Sequence, residues 1–172
     1  MIGSASDSAP PPVLVLGLGN LLLGDDAAGL RLLEILSGES DCGDAVDFVD
    51  GGTQGLALLG YLNDRDAVLV LDAMALGDAP GTVHVLRGLE GEQLQARRAG
   101  TAHESSAMEL FETAKILGGA WAEVVLVGIE SKSLRTGIGL SPEVEAALDE
   151  AAAKARAVLR GMVESHVLSN TR

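Results

Sequence analysis

The chain has 172 residues, of which 47% are hydrophobic, so it is long enough for one globular domain with a substantial core. Lys and Arg number 12 against 25 Asp and Glu, and the resulting net charge of −13 disfavours nucleic acids and anionic membrane surfaces as partners. No apolar stretch is long enough to span a bilayer, so we expect a cytoplasmic monomer that binds neither membranes nor nucleic acid.

The two ends of the chain differ from its centre. Residues 1–12 lack the basic start and apolar stretch of a secretory signal and are predicted to be a flexible N-terminal arm. Residues 13–165 hold the regular patterns and form the predicted domain, and residues 166–172 are predicted to be a flexible C-terminus. Cys42 is the single cysteine, so no internal disulfide forms, and its acidic surroundings predict an unreactive thiol.

The first half of the domain alternates apolar runs with helical patterns. Residues 13–16 are a continuous apolar run closed by glycine, typical of a strand buried on both faces of a parallel sheet. Apolar residues recur at helical spacing over 26–36. Further strands are predicted at 45–49 and 67–71, with a short helix at 56–62 between them.

The next strand is predicted to run in the opposite direction. Residues 79–81 have turn chemistry, so the strand at 82–86 is expected to return beside strand 67–71 as an antiparallel edge. The irregular segment 88–100 is a candidate for a mobile loop that faces the substrate.

The last part of the domain is predicted to add one buried strand and two helices. A helix begins near His103 within residues 101–117, a strand covers 122–129, and Pro142 opens a long final helix. Residues 131–139 are a second candidate for a mobile loop. Strands that alternate with helices imply right-handed crossovers, so we expect a single-domain α/β fold with a mostly parallel sheet, one antiparallel strand and helices on both faces.

Acidic residues follow three of the predicted strands. In open parallel sheets ligands bind beyond the carboxyl ends of the strands, where the adjacent Asp25 and Asp26, then Asp50 and Asp72, are expected. Helix capping explains any one of them, but Asp72 stands in an apolar stretch where an unpaired carboxylate is costly. His103 with Asp26 and Asp72 would suit a divalent first-row metal and would leave coordination positions open for water, substrate or a second protein.

A Gly-Leu-Gly sequence at 17–19 resembles the start of a dinucleotide-binding motif. The third glycine is missing, because position 22 is Leu22, and the helix that should receive the phosphate begins with two acids. A nucleotide-binding protein stays an alternative because Asp50 stands where a ribose contact is expected.

Familiar hydrolase motifs are incomplete. His103 begins the zinc-protease pattern H-E-x-x-H, but Ala107 stands four residues later where the second histidine belongs, and there is no G-x-S-x-G elbow. His84 and His166 are interpreted as ordinary packed or surface residues.

Taken together, these blocks resemble the hydrogenase maturation endopeptidase family. The similarity runs from about Val13 to Leu159 in the family's order. The matching blocks are GLGNLLLGDDAAG at 17–29, DGGT at 50–53 with Gly55, DA at 72–73, PGT at 80–82, AH at 102–103, and GIE at 128–130 followed by GLS at 139–141.

The resemblance implies a twisted five-stranded sheet flanked by helices, and a peptidase that makes one cut in one partner protein. The expected partner is a [NiFe]-hydrogenase large-subunit precursor that already contains nickel, and the expected cut removes its C-terminal extension. The family's nickel-contacting residues fall on Asp26, which is often Glu in relatives, on Asp72 and on His103. Asp26 and Asp72 are the expected catalytic residues. The expected substrate-binding residues are Asp50, Gly51, Gly52 and Thr53.

The same resemblance leaves the chemistry open between an aspartyl mechanism and a metal-dependent one. Nickel is expected to arrive with the precursor, and no organic cofactor is expected. A module that senses nickel or the precursor without cutting it is the alternative from another functional class.

Overall fold

A computed structural model describes residues 9–39, 43–88, 106–169 and 171. The regular elements are β1 (Val13–Leu18), α1 (Ala28–Glu39), β2 (Val46–Gly52), β3 (Ala67–Met74), β4 (Val83–Arg87), α2 (Ser106–Ile116), β5 (Glu123–Glu130) and α3 (Pro142–Ser169). Short 3₁₀ helices cover Gly24–Ala27, Gly43–Ala45 and Gly55–Leu62. Each predicted strand is therefore present, with bounds shifted by at most three residues, and α3 begins at the predicted proline.

The strands form one sheet in the order β2-β1-β3-β5-β4. All neighbouring pairs are parallel except β4 with β5, which confirms the α/β fold with a mostly parallel sheet and one antiparallel edge strand. The predicted neighbour of the edge strand was wrong, because β4 pairs with β5 and not with β3. The mostly buried β5 lies alongside the whole of β3, whereas the half-buried β4, which bears His84 and Arg87, suits an edge.

Helices cover both faces of the sheet. In β1, Val13 and Val15 face the layer formed by α1 and α3, whereas Leu14 and Leu16 face α2 and the 3₁₀ helix Gly55–Leu62. Burial on both faces explains why β1 and β3 are continuous apolar runs rather than alternating ones.

The direction of α2 follows from the segment after it. Trp121, between α2 and β5, donates a hydrogen bond from Nε1 to the carbonyl oxygen of Leu62 at 2.9 Å, near the start of β3. The end of α2 therefore lies at the amino ends of the parallel strands, and its beginning at Ser106 lies towards their carboxyl ends. Side chains alternate between the two faces of the sheet along β3, so Asp72 is on the same face as Val68 and Val70. Helix α2 covers this face.

The end of α3 lies beyond the predicted domain. The helix continues to Ser169, past residue 165, while the three-part division of the chain stays a prediction. No helix in the described part of the chain is long and apolar enough to cross a membrane.

Candidate active site

The strand order reverses between β1 and β3, and this switch point is where open α/β sheets bind ligands. The start of α1 lies directly over it. A Cβ atom on Gly29 would lie 2.3 Å from the carbonyl oxygens of both Leu18 and Leu71, so only glycine allows the helix to approach these strand ends. The close approach brings Asp26, in the 3₁₀ turn before α1, towards Asp72 at the end of β3.

Asp72 is a buried carboxylate with few partners among the residues that the structure describes. Its side chain is 5% exposed and accepts a hydrogen bond from the backbone N–H of Ala73, at 2.8 Å from Oδ1. Burial raises the pKa of Asp72 to about 7; the Ala73 N–H opposes this rise and the negative charge of the half-buried Asp26 adds to it. A pKa of about 7 suits a general acid or base that works near neutral pH.

The apolar setting predicted for Asp72 is thus present, although its position differs slightly. Asp72 lies within β3, where it pairs with Gly128 of β5, and not after the end of the strand.

Asp25, which sequence reasoning did not select, is also buried, at 1% exposure, but it is fully engaged. It accepts hydrogen bonds from the backbone N–H groups of Lys132 (2.8 Å), Ser133 (3.0 Å) and Ser141 (2.6 Å), and from the Ser141 hydroxyl (3.0 Å). Burial alone would raise the pKa of Asp25, but these donors lower it below its ordinary value. Of these two adjacent acids, Asp25 therefore anchors a loop, and Asp26 is the one whose charge acts on Asp72.

The anchored loop corrects a prediction. Residues 131–139 were expected to be mobile, but they are joined to the loop after β1. The backbone N–H of Gly24 donates to the carbonyl oxygen of Gly137, and the Gly137 N–H donates to that of Leu22, both at 2.9 Å. Of the other predicted mobile loop, 88–100, only residue 88 is described.

The predicted substrate-binding residues lie at the end of β2. Asp50 is exposed, Gly51 is buried, and the Gly52 carbonyl accepts a hydrogen bond from the Gly19 N–H at 3.1 Å; Thr53 is exposed. Asp50 borders a groove of about 350 Å³ beside α1. The groove is lined by Leu21, Leu30, Arg31, Leu33, Glu34, Ser37 and Asp50, and so does not include Asp26 or Asp72.

A fourth acid ends a buried parallel strand. Glu130, at the end of β5, is 3% exposed and accepts hydrogen bonds from the backbone N–H groups of Leu76 (3.0 Å) and Gly77 (2.8 Å). His84 lies with Nε2 at 3.3 Å from Glu130 Oε2. The signal that selected Asp26, Asp50 and Asp72 could have found Glu130, which orders the turn after β3 through its hydrogen bonds to Leu76 and Gly77.

His103 lies outside the described residues, as does Cys42. Within the described ranges, no three His, Cys, Asp or Glu side chains are placed to hold a metal ion. The ligand set of Asp26, Asp72 and His103 therefore stays a prediction.

The first glycines have a role that does not involve a nucleotide. A Cβ on Gly19, whose φ is +133°, would lie 1.9 Å from the carbonyl oxygen of Asp26. Glycine at this position lets the end of β1 pack against the turn that contains Asp26. The packing of the chain therefore explains the glycine without a bound nucleotide.

Comparison with known proteins gives one consistent result. Residues 30–158 match a family model described as hydrogenase maturation protease. The chain is 36% identical over 149 residues to the hydrogenase 2 maturation protease of Escherichia coli K12, covering 86% of this chain and 90% of that protein. The structure superposes on the hydrogenase maturating endopeptidase HybD from E. coli with a TM-score of 0.76 and 35% identity, covering 87% and 92% of the two chains. For the [NiFe] hydrogenase maturation protease HybD from Thermococcus kodakarensis, the TM-score is 0.66 at 28% identity, over 85% and 97%.

Proposed function

This chain belongs to the hydrogenase maturation protease family and is an endopeptidase, and from that premise we propose that it removes the C-terminal extension of a nickel-loaded [NiFe]-hydrogenase large-subunit precursor. The observation on which the proposal rests is the buried Asp72, with its raised pKa, near Asp26 at the switch point of the sheet. A carboxyl group of this kind either activates the water that attacks the peptide bond or, when ionised, contacts a metal ion.

The precursor's nickel would be contacted by Asp26, Asp72 and His103. Two features of the described residues support this donor set. Asp72 has one backbone donor at Oδ1, so its carboxylate retains lone pairs for a cation. Helix α2, which starts three residues after His103 in the sequence, begins at Ser106 towards the carboxyl edge on the Asp72 face.

Such a site would be incomplete without the substrate. One imidazole and two carboxylates leave coordination positions open, and the precursor would fill them with the ligands that already hold its nickel. A loaded precursor would then bind more tightly than an empty one, by about tenfold for each 1.4 kcal/mol gained at the shared ion. Specificity for finished precursors would follow from this difference.

The peptide next to the scissile bond would lie along the end of β2. Asp50 borders the groove beside α1, where it supplies a carboxylate and neighbouring leucines supply a non-polar wall; Gly51, Gly52 and Thr53 follow it in the chain. The monomeric state, the cytoplasmic location and the lack of an organic cofactor stay predictions.

A processing assay tests the proposal. Purified protein is mixed with precursor prepared with and without nickel, and loss of the tail is followed by mass. We expect cleavage of the loaded form only, and loss of cleavage in His103→Ala with unchanged circular dichroism. Equal cleavage of both precursors would exclude the shared-nickel mechanism, and a normal rate in His103→Ala would remove His103 from it.

A further inference from the structure

Three large aliphatic side chains are exposed beside the candidate active site. Leu21 is 54% exposed, Leu22 60% and Ile138 89%. We call these three residues the apolar rim. Leu21 and Leu22 belong to the loop between β1 and the 3₁₀ turn that contains Asp26, and Ile138 belongs to the loop after β5.

The two loops are joined, so the rim has a defined frame. Leu23 and Gly137 form a parallel bridge, with backbone hydrogen bonds on either side of it, and the Asp25 carboxylate holds both ends of the second loop. Leu21 and Leu22 lie within five residues of Asp26 in the chain, and the bridge between Leu23 and Gly137 brings the loop that carries Ile138 to them. Exposing large aliphatic groups on such a frame is unfavourable in water, and this is typical of a surface that another molecule covers.

The rim is continuous with the groove beside α1. Leu21 belongs to both, and inside the groove it is joined by Leu30 and Leu33, with Asp50 at the border. A non-polar surface therefore extends from the end of β2, past the turn that contains Asp26, to the loop after β5. An extended peptide with non-polar side chains gains free energy by burying them against such a surface.

The charges at this edge favour the substrate over a second copy of the enzyme. The acids of the candidate site lie here. Among the cations that the structure describes near them, Arg31 and Lys132 pair with acids of this chain, which leaves Arg135 to offset the site's negative charge. A second copy docked on the rim would bring its own acids against these, in a protein whose net charge is −13. An anionic membrane surface is disfavoured for the same reason.

We propose that the apolar rim binds non-polar side chains of the precursor segment that flanks the scissile bond. This inference rests on the proposed function and adds the chemistry of the bound segment. Burial of a leucine or isoleucine side chain on binding corresponds to about a tenfold change in affinity, so the rim makes a large contribution to KM.

The test compares the rim with exposed residues elsewhere. Leu22→Ser and Ile138→Ser are the rim variants. The matched controls are Ile116→Ser and Leu168→Ser, because Ile116 is 85% exposed and Leu168 69%, and both lie towards the other end of the strands. With nickel-loaded precursor we expect each rim variant to raise KM about tenfold while kcat stays within about twofold, and we expect both controls to match the unmodified enzyme.

Two measurements decide between this proposal and its alternatives. Chemical unfolding should give the same stability for rim variants and controls; a loss confined to the rim variants would mean that another part of this chain covers the rim, and would overturn the proposal. Sedimentation that shows a dimer lost in the rim variants would overturn it as well, as would an unchanged KM. If the unmodified enzyme cuts no precursor, the proposed function fails, and calorimetric titration with the loaded precursor still tests whether the rim variants weaken binding about tenfold.

Discussion

Asp25 and Asp72 are two buried carboxylates at the same edge of the sheet, and they differ in what surrounds them. Three backbone N–H groups and a hydroxyl point at Asp25, so its negative charge is stabilised and its pKa is lowered. Asp72 accepts from one backbone N–H, with Asp26 nearby, and burial raises its pKa to about 7. Burial alone therefore does not mark a functional acid; the number of donors separates the anchor from the reactive group.

Removing the charge of Asp72 is expected to have the largest effect. Asp72→Asn keeps the shape and the Ala73 hydrogen bond but can neither take up a proton nor bind a cation as a carboxylate does. We expect precursor cleavage to slow by at least about 10³-fold with an unchanged circular dichroism spectrum. Asp64→Asn, an exposed acid before β3 with a φ of +58° that asparagine tolerates, is the matched control and should cleave normally. A normal rate for Asp72→Asn would remove Asp72 from the mechanism.

Removing Asp25 is expected to affect stability most. Asp25→Ala leaves the N–H groups of Lys132, Ser133 and Ser141 without their acceptor, so we expect the free energy of unfolding to fall by about 3 kcal/mol. Because the pKa of Asp25 is lowered in the folded protein, its contribution is present at neutral pH and is lost as the pH falls through that lowered value. Urea titration measures the change. A loss below about 1 kcal/mol at pH 7 would contradict the anchoring role.

The contribution of Asp72 to stability should change with pH in the opposite direction to that of Asp25. Its pKa is raised from an ordinary 3.8 to about 7, so the folded state holds a proton that the unfolded state has lost. The contribution of Asp72 to stability should therefore decrease as pH rises from about 4 to 7, by at most about 1.4 kcal/mol for each pH unit. We expect metal-free Asp72→Asn to be about 2 kcal/mol more stable above pH 7 than the unmodified protein, after allowance for the buried amide. A difference that does not change with pH would contradict this explanation.

The smallest effect should come from a side chain next to the Asp25 anchor. Lys132 donates its backbone N–H to Asp25, while its exposed ammonium group pairs with Glu143 at 2.6 Å. Lys132→Ala keeps the first interaction and removes the second, so stability should change by less than about 0.5 kcal/mol and cleavage should not change. A loss as large as that of Asp25→Ala would show that the side chain, and not the backbone, holds the loop.

Local sequence patterns predicted the elements of the fold well, because burial on both faces produces continuous apolar runs such as β3. The same patterns could not identify the neighbour of β4, because pairing depends on how the whole sheet is ordered. They selected Asp26 and Asp72 from their positions at strand ends. They could not separate Asp25 from Asp26, because the donors that distinguish them come from residues 132–141, more than a hundred positions later.

That long separation also bears on when a newly made chain becomes active. Asp25 is synthesised early, but its partner Ser141 follows 116 residues later, and β5, which lies beside β3, also comes late. During translation the turn that contains Asp26 has no anchored loop beside it until the final part of the domain leaves the ribosome. We therefore expect a partly made chain to lack peptidase activity, so that the protease becomes competent only when its own synthesis is nearly complete.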